Sequence, residues 1–311
     1  MKLSHLLMGC AVAAVLATPA MAKDLTSIGI SLGSMGNPFF VALAQGAEAT
    51  AKKTNANVKI TAVGYDYDLN KQFTQIDNFI AAGVDMILLN PGDPKAVEPA
   101  IKKAQAAGIP VVAVDTAAQG ADLTVTTNNV QAGEIACQFI VDKLKGKGDV
   151  LIVNGPQVSS VVDRVKGCKD TFAKSPGIKI LSDDQDAQGS RDGGLAVGQA
   201  LLTRFQHVDA VFAINDPTGI GANLAAKQLK RNEFFITSVD GAPDIEAELK
   251  DQSSLILASA SQDPYQMAAL ATQLGADLLN GKKPEHQITL MDSKLVTRDN
   301  IKDYKGWQAV R

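Results

Sequence analysis

The chain has 311 residues, with 30 Lys and Arg against 33 Asp and Glu and a formal net charge of −3. That slightly acidic balance, with no basic run, makes nucleic acid and anionic membrane poor candidates as partners. The length exceeds one ordinary domain and suits two.

The opening MKLSHLLMGCAVAAVLATPAMA holds one lysine, an apolar run and then Ala20-Met21-Ala22. This is the three-part plan of a secretory signal peptide, with cleavage expected after Ala22. The apolar run is too short to span a bilayer. LMGC at 7–10 resembles a lipid-attachment site, but almost no apolar run precedes Cys10 and a full one follows it. Residues 1–22 are therefore read as a cleaved leader, and the rest as an exported, soluble protein of the periplasm.

From Lys23 onward, apolar β-branched runs alternate with amphipathic stretches. The predicted strands are TSIGISL (26–32), VKITAV (58–63), DMILLN (85–90), PVVAVD (110–115), DVLIVNG (149–155), IKILSD (178–183), DAVFAIND (209–216), FFITSVD (234–240) and LILASAS (254–260). Continuous apolar runs of this kind are typical of strands buried on both faces. Segments such as NKQFTQIDNFIAAG and KAVEPAIKKAQAAG between them end in a glycine, as helices do. Strict alternation predicts a doubly wound α/β protein with parallel sheets. Nine or ten strands are too many for one usual sheet of this class. The pattern also breaks at GADLTVTTNNVQAGEIACQF, where a short strand and Asn128-Asn129 precede a long helix. Two similar halves are expected, with a small-molecule cleft between them.

Between the first strand and its helix lies SLGSMGNPFF (31–40), with Asn37 placed to cap the helix and Pro38 at its first position. Ser31 stands where a dinucleotide-binding loop needs its first glycine, and Phe39 and Phe40 crowd the helix start, so a phosphate is not expected there. Several later strands end in an amide or a carboxylate: Asn90, Asp115, Asn154, Asn215-Asp216 and Asp240. Ligands bind at the carboxyl ends of parallel strands, although Asn and Asp are also turn formers and helix caps. Planar polar groups beside aromatic rings suit a polyhydroxylated ligand, whose hydroxyls each need a partner once buried. No P-loop is present, and neither His207 nor His286 belongs to a metal-ligand or nucleophile motif. No metal, cofactor or catalytic residue is expected. Cys137 and Cys168 survive the leader as an even pair, which favours a disulfide in an oxidising compartment over two buried thiols.

In order, NPFF, LLNPGDPKAVEPAIKKAQAAGIPVVAVD, TTNNVQAGEIA, VFAIND, SVDGAPD and SASQDPYQMA resemble the periplasmic sugar-binding proteins of the ribose-binding type, which serve ABC importers. The resemblance covers essentially the whole chain after the leader. It implies two α/β lobes joined by a three-segment hinge, crossing near Asn128-Asn129, near Gln262 and in 291–293. One lobe would comprise 23–128 plus 262–291, the other 129–261 plus 292–311, with both cysteines in the second. Carried over position by position, it implies ligand contacts from Asn37, Phe39, Phe40, Asn90 and Asp115 in the first lobe and Arg164, Asn215 and Asp240 in the second, with Gln262 at a crossing. The chain departs from the ribose-binding pattern at Thr116, where an arginine is usual, and at Gly189, near the place of a second-lobe aromatic. Those departures point away from ribose and toward another pentose or a sugar alcohol. The resemblance further implies a monomer that hands its solute to a permease and is compatible with delivery to a chemoreceptor. A sugar-responsive regulator and a secreted carbohydrate-acting enzyme are the competing readings. The regulator would need a DNA-binding segment where the leader stands, and the enzyme a marked carboxylate pair.

Overall fold

The computed structural model describes residues 24–282 and 284–307. The expected leader, its cleavage site and Cys10 lie outside them.

The first half runs β1 (Ser27–Leu32), α1 (Pro38–Thr54), β2 (Lys59–Gly64), α2 (Leu69–Ala82), β3 (Met86–Leu89), α3 (Glu98–Ala106), β4 (Val111–Val114) and β5 (Leu123–Thr127). The second runs α4 (Asn129–Lys143), β6 (Lys147–Val153), α5 (Ser159–Ala173), β7 (Gly177–Ser182), α6 (Arg191–Arg204), β8 (Ala210–Ala213), α7 (Asp216–Leu229), β9 (Phe235–Asp240), α8 (Pro243–Lys250) and β10 (Ile256–Ser261). After these come α9 (Pro264–Leu279), β11 (Ile288–Met291) and β12 (Leu295–Thr297).

Two six-stranded sheets result, ordered β11-β5-β4-β3-β1-β2 and β12-β10-β9-β8-β6-β7. The two orders match strand for strand, and each reverses direction of winding beside its first strand, where open α/β sheets form a crevice. The chain passes between sheets three times: after β5, after β10, and between β11 and β12. The passing segments bond to one another. Asn128 N donates to Met291 O (2.8 Å), Ser293 Oγ to Ser261 O (2.7 Å), Thr127 Oγ1 to Gln262 Oε1 (2.7 Å), and Ser293 N to Gln131 Oε1 (2.8 Å).

Local chemistry explains the elements. β3, β4 and β8 are buried at every residue, as their apolar runs require. β2 and β7 border their sheets and alternate exposed with half-buried residues over most of their length. The sequence did not signal β11 or β12. β11 is a four-residue border strand whose Ile288 and Leu290 are more than half exposed, and β12 has three residues. β12 also runs antiparallel to β10, the one departure from the expected parallel sheets among the described strands. Four apolar clusters fill the two faces of each sheet. Cys137 of α4 and Cys168 of α5 form a disulfide across one of them, with a Cα–Cα separation of 5.1 Å.

Candidate functional site

All nine residues expected at the ligand site line one cavity between the lobes, with about 540 Å³ of free space including its open mouth. Residues of the first sheet's carboxyl edge form one wall and those of the second form the other, as strand direction dictates.

On the first wall, Asn37 caps α1 with its Oδ1, which accepts from Phe39 N (3.0 Å). That bond engages the carbonyl half of the amide, and no protein group bonds Nδ2 among the described residues. Phe39 and Phe40 are buried and meet edge to face, with ring centroids 5.4 Å apart. They serve both the core and the cavity, because α1 begins where β1 opens into the crevice. Asn90, after β3, donates to Asp115 Oδ2 (2.9 Å) and to Thr116 Oγ1 (3.0 Å). Thr116 in turn donates to Pro91 O (3.2 Å), so the residue standing in place of the usual arginine is bound into the loop. Asp115 has φ of 68°, a left-handed backbone uncommon for a non-glycine and frequent at functional sites. Burial pushes its carboxyl up to about 7, against the pull of Arg164, while Asp240 adds to the rise.

On the second wall, Arg164 of α5 is buried. Its Nε donates to Asn129 Oδ1 (2.9 Å) and its Nη1 to Ile214 O (2.9 Å) and Asp240 Oδ1 (3.4 Å). Gly133 of α4 allows this placement: a Cβ there would lie 2.0 Å from Arg164 O, so only glycine lets the two helices approach this closely. Asp240 ends β9 with φ of 138°, and Gln262 Nε2 also donates to it (2.7 Å). Burial raises the Asp240 carboxyl to about 6, opposed by Arg164 and Gln262. Behind it lies Asp216, fully buried and itself raised by burial and by Asp240; it accepts from Ser259 Oγ (2.6 Å) and Ala242 N (2.7 Å).

Two of the nine are committed to the protein at both ends of the amide. Asn215 caps α7 by accepting from Thr218 N (3.0 Å) and donates to Gly189 O (2.9 Å). Gln262 accepts from Thr127 and donates to Asp240. Each amide nitrogen carries a second N–H beyond these bonds, so both residues brace their neighbours and keep a donor at the cavity lining. Asn154, another strand-end amide, is not on the cavity wall. It donates to Asp183 O (2.8 Å) and accepts from Gly155 N (2.8 Å), the turn-forming role open to any such residue.

The sequence reading missed Tyr65 and Tyr67, which line the cavity beyond the end of β2 with ring centroids 5.9 Å apart. The run GYDYD was the available signal, since the chain has four tyrosines and two stand at this single strand end. It also missed Trp307, which packs edge to face on Phe39 (5.6 Å) and donates from Nε1 to Asp240 O (3.0 Å). No local pattern announces a tryptophan that far along the chain. Trp307 therefore touches both walls, its ring crossing to Phe39 of the first lobe, and Ala117 N of the first lobe donates to Ser159 Oγ of the second (2.8 Å).

Residues 28–283 match the family described as periplasmic binding protein domain. The ribose import binding protein of Bacillus subtilis is 34% identical over 276 residues, covering 86% of each chain. The xylitol-binding protein of Mycolicibacterium smegmatis is 32% identical over 71% of this chain and 64% of its own. Among solved structures, an ABC transporter solute-binding protein from Burkholderia graminis in complex with D-arabinose is 26% identical, with a TM-score of 0.82, covering 91% of this chain and 98% of that one. The chain belongs to the periplasmic binding protein family.

Proposed function

We propose that this chain captures a sugar or sugar alcohol, a pentose, hexose or polyol, between its lobes and delivers it to the permease of an ABC importer. One observation carries the reading: a single interlobe cavity combines aromatic rings with buried carboxylates and a guanidinium. Rings cover C–H faces, while the planar polar groups give each buried hydroxyl a partner. Phe39 and Phe40 form the apolar wall. Asn37, Asn90, Asp115, Arg164, Asn215, Asp240 and Gln262 meet the hydroxyls, with Asn215 and Gln262 also bracing the frame. The two lobes comprise 23–128 with 262–291 and 129–261 with 292–311, and they close about the three crossings. A ligand that binds both walls favours the closed state by its differential affinity. Both walls come from one chain, which supports a monomer, and the closed face is equally open to a chemoreceptor. The regulator and enzyme readings are not favoured, because the relatives named above are solute-binding and import proteins. The protein works in the periplasm after cleavage behind Ala22, which the N-terminal sequence of the exported protein checks.

A thermal-shift screen against pentoses, hexoses and polyols tests the reading. A ligand at one hundred times its dissociation constant stabilises the folded state by about 2.7 kcal/mol, a rise of roughly 5 to 10 °C for lobes of this size. Trp307 is the single tryptophan of the chain, and its contact with both walls makes its emission a second readout of closure. No rise and no emission change with any member of the panel would overturn the sugar reading.

A further inference from the structure

Tyr65 is fully buried on the first-lobe wall of the cavity. Among the described residues its hydroxyl has no hydrogen-bond partner. Leaving a buried hydroxyl unpaired costs free energy that phenylalanine at the same place would not. Two other buried hydroxyls share this condition, those of Thr218 and Thr237, but neither residue lines the cavity.

The surroundings concede further structure to this phenol. Asp66 and Tyr67, which follow it, have φ of 51° and 61°, two consecutive left-handed residues without a glycine. Such strain persists where the fold holds a side chain in a required place. Gly92, in the loop after Asn90, leaves room for the ring: a Cβ there would lie 2.8 Å from Tyr65 Cε2 and 3.2 Å from the hydroxyl. Burial above all, then Tyr67 and Asp115, push the phenol well above its ordinary pKa, so it stays protonated and can both donate and accept. The opposite wall offers Pro156, Val158, Val161 and Ile214 but no aromatic ring.

We infer that Tyr65 is a specificity-determining residue of this cleft, its hydroxyl pairing with one hydroxyl of the bound sugar or polyol. The inference rests on the sugar reading above. The contact comes from the end of β2, and Tyr65 and Tyr67 add to Phe39 and Phe40 on the first-lobe lining, where the second-lobe lining of the same cavity has no ring. A site built to pair a ligand hydroxyl rejects the analogue without it far more strongly than a merely apolar pocket does. Tyr65 therefore selects for a hydroxyl at one particular carbon.

The test uses the full mature chain, Tyr65→Phe and Tyr67→Phe, with the best binder of the sugar and polyol panel and its monodeoxy analogues, by calorimetry. Tyr65→Phe is expected to melt no lower than the parent without ligand and to bind that ligand at least about ten-fold more weakly. Against one monodeoxy analogue the difference should vanish, identifying the hydroxyl that Tyr65 pairs. Tyr67→Phe, with its residue half-exposed, should keep the parent's ranking of analogues. Binding by Tyr65→Phe within about two-fold of the parent, or a ligand-free melting point several degrees lower, would overturn the inference and leave the sugar reading standing. A parent chain that binds no panel member overturns the sugar reading, and this inference with it.

Discussion

The two walls of the cleft are built on matching strand orders and end in carboxylates at equivalent places, yet they hold those carboxylates differently. Asp115, beyond β4, and Asp240, at the end of β9, are both buried and both have positive φ. Asp115 is gripped by the neutral amide of Asn90, whereas Asp240 is gripped by the guanidinium of Arg164 and by Gln262. The first wall also carries Phe39, Phe40, Tyr65 and Tyr67, while the second is aliphatic around its charges. One topology thus supports a division of labour: a ring-lined wall suited to C–H surface, and a wall whose charges are fixed before any ligand arrives. Charges fixed in advance need no reordering on binding, which is where preorganised sites gain affinity.

Breaking the charged wall should give the largest effect. Arg164→Ala removes the guanidinium from Asp240 and leaves Asn129 Oδ1 and Ile214 O without their donor. Removing one partner of a buried ion pair costs about 3 to 5 kcal/mol. Binding should disappear in calorimetry, and the ligand-free melting point should fall as well. Asp240→Ala should abolish binding with less damage, because Arg164 keeps its two other acceptors. Parent-like binding by either variant would show that the second wall's charge network does not contact the ligand.

Most of this frame was legible in the sequence, for a physical reason. Strands buried on both faces must be apolar throughout, so β3, β4 and β8 stand out as runs, and the polar residue that ends each run marks the carboxyl edge. The same reasoning located Asn90, Asp115 and Asp240, and Asn37 followed from the helix start. It could not tell a strand-end amide that caps a helix from one that faces a ligand. Asn215 and Asn154 look alike in sequence, and only one lies on the cavity. β11 and β12 escaped because short border strands bury too little to leave an apolar signature. Tyr65, directly after β2, was within reach of the same strand-end reasoning, which looked for amides and carboxylates and passed over a tyrosine; Trp307 escaped because its position depends on how the chain's last segment folds back over the cleft.

The disulfide sharpens the comparison at the level of stability, since among the described residues only the second lobe has one. Bridging residues 31 apart in sequence stabilises by roughly 3 to 4 kcal/mol on the chain-entropy estimate. Replacing Cys137 and Cys168 together by serine should speed amide exchange in α4 and α5 while α1 and α9 keep their protection. Ligand affinity should change little, because neither sulfur lies on the cavity wall. Equal loss of protection in both lobes would mean that they unfold as one unit.

The smallest effect, and the finest test of the difference between the walls, lies in pH. Both carboxyls titrate above the usual carboxylate range because of burial, Asp115 near 7 and Asp240 near 6, with the guanidinium holding the second lower. For a carboxyl whose folded pKa is raised, the folded state binds more protons than the unfolded chain between the two pKa values. Its contribution to stability is therefore full below the unfolded value near 3.9 and is lost as pH rises through the folded value. A ligand hydroxyl that donates to the ionised carboxylate works in the opposite sense, because binding draws the proton off. Affinity should thus weaken as pH falls below 7, by up to about ten-fold per unit for each proton released. The charged and titratable groups around Asp115 are Arg164, Asp240, Tyr65 and Tyr67. The tyrosines stay protonated, so the change between pH 5 and 8 belongs to the buried carboxyls, Asp115 on one wall and Asp240 with Asp216 behind it on the other. Calorimetry in buffers of different ionisation enthalpy should show net proton release at pH 6.5, and Asp115→Asn should remove the part centred near 7 while leaving the part near 6. If Asp115→Asn left the whole profile unchanged, the wall held by an amide would not be the one that loses its proton to the ligand, and the two carboxylates would have to exchange the roles assigned to them here.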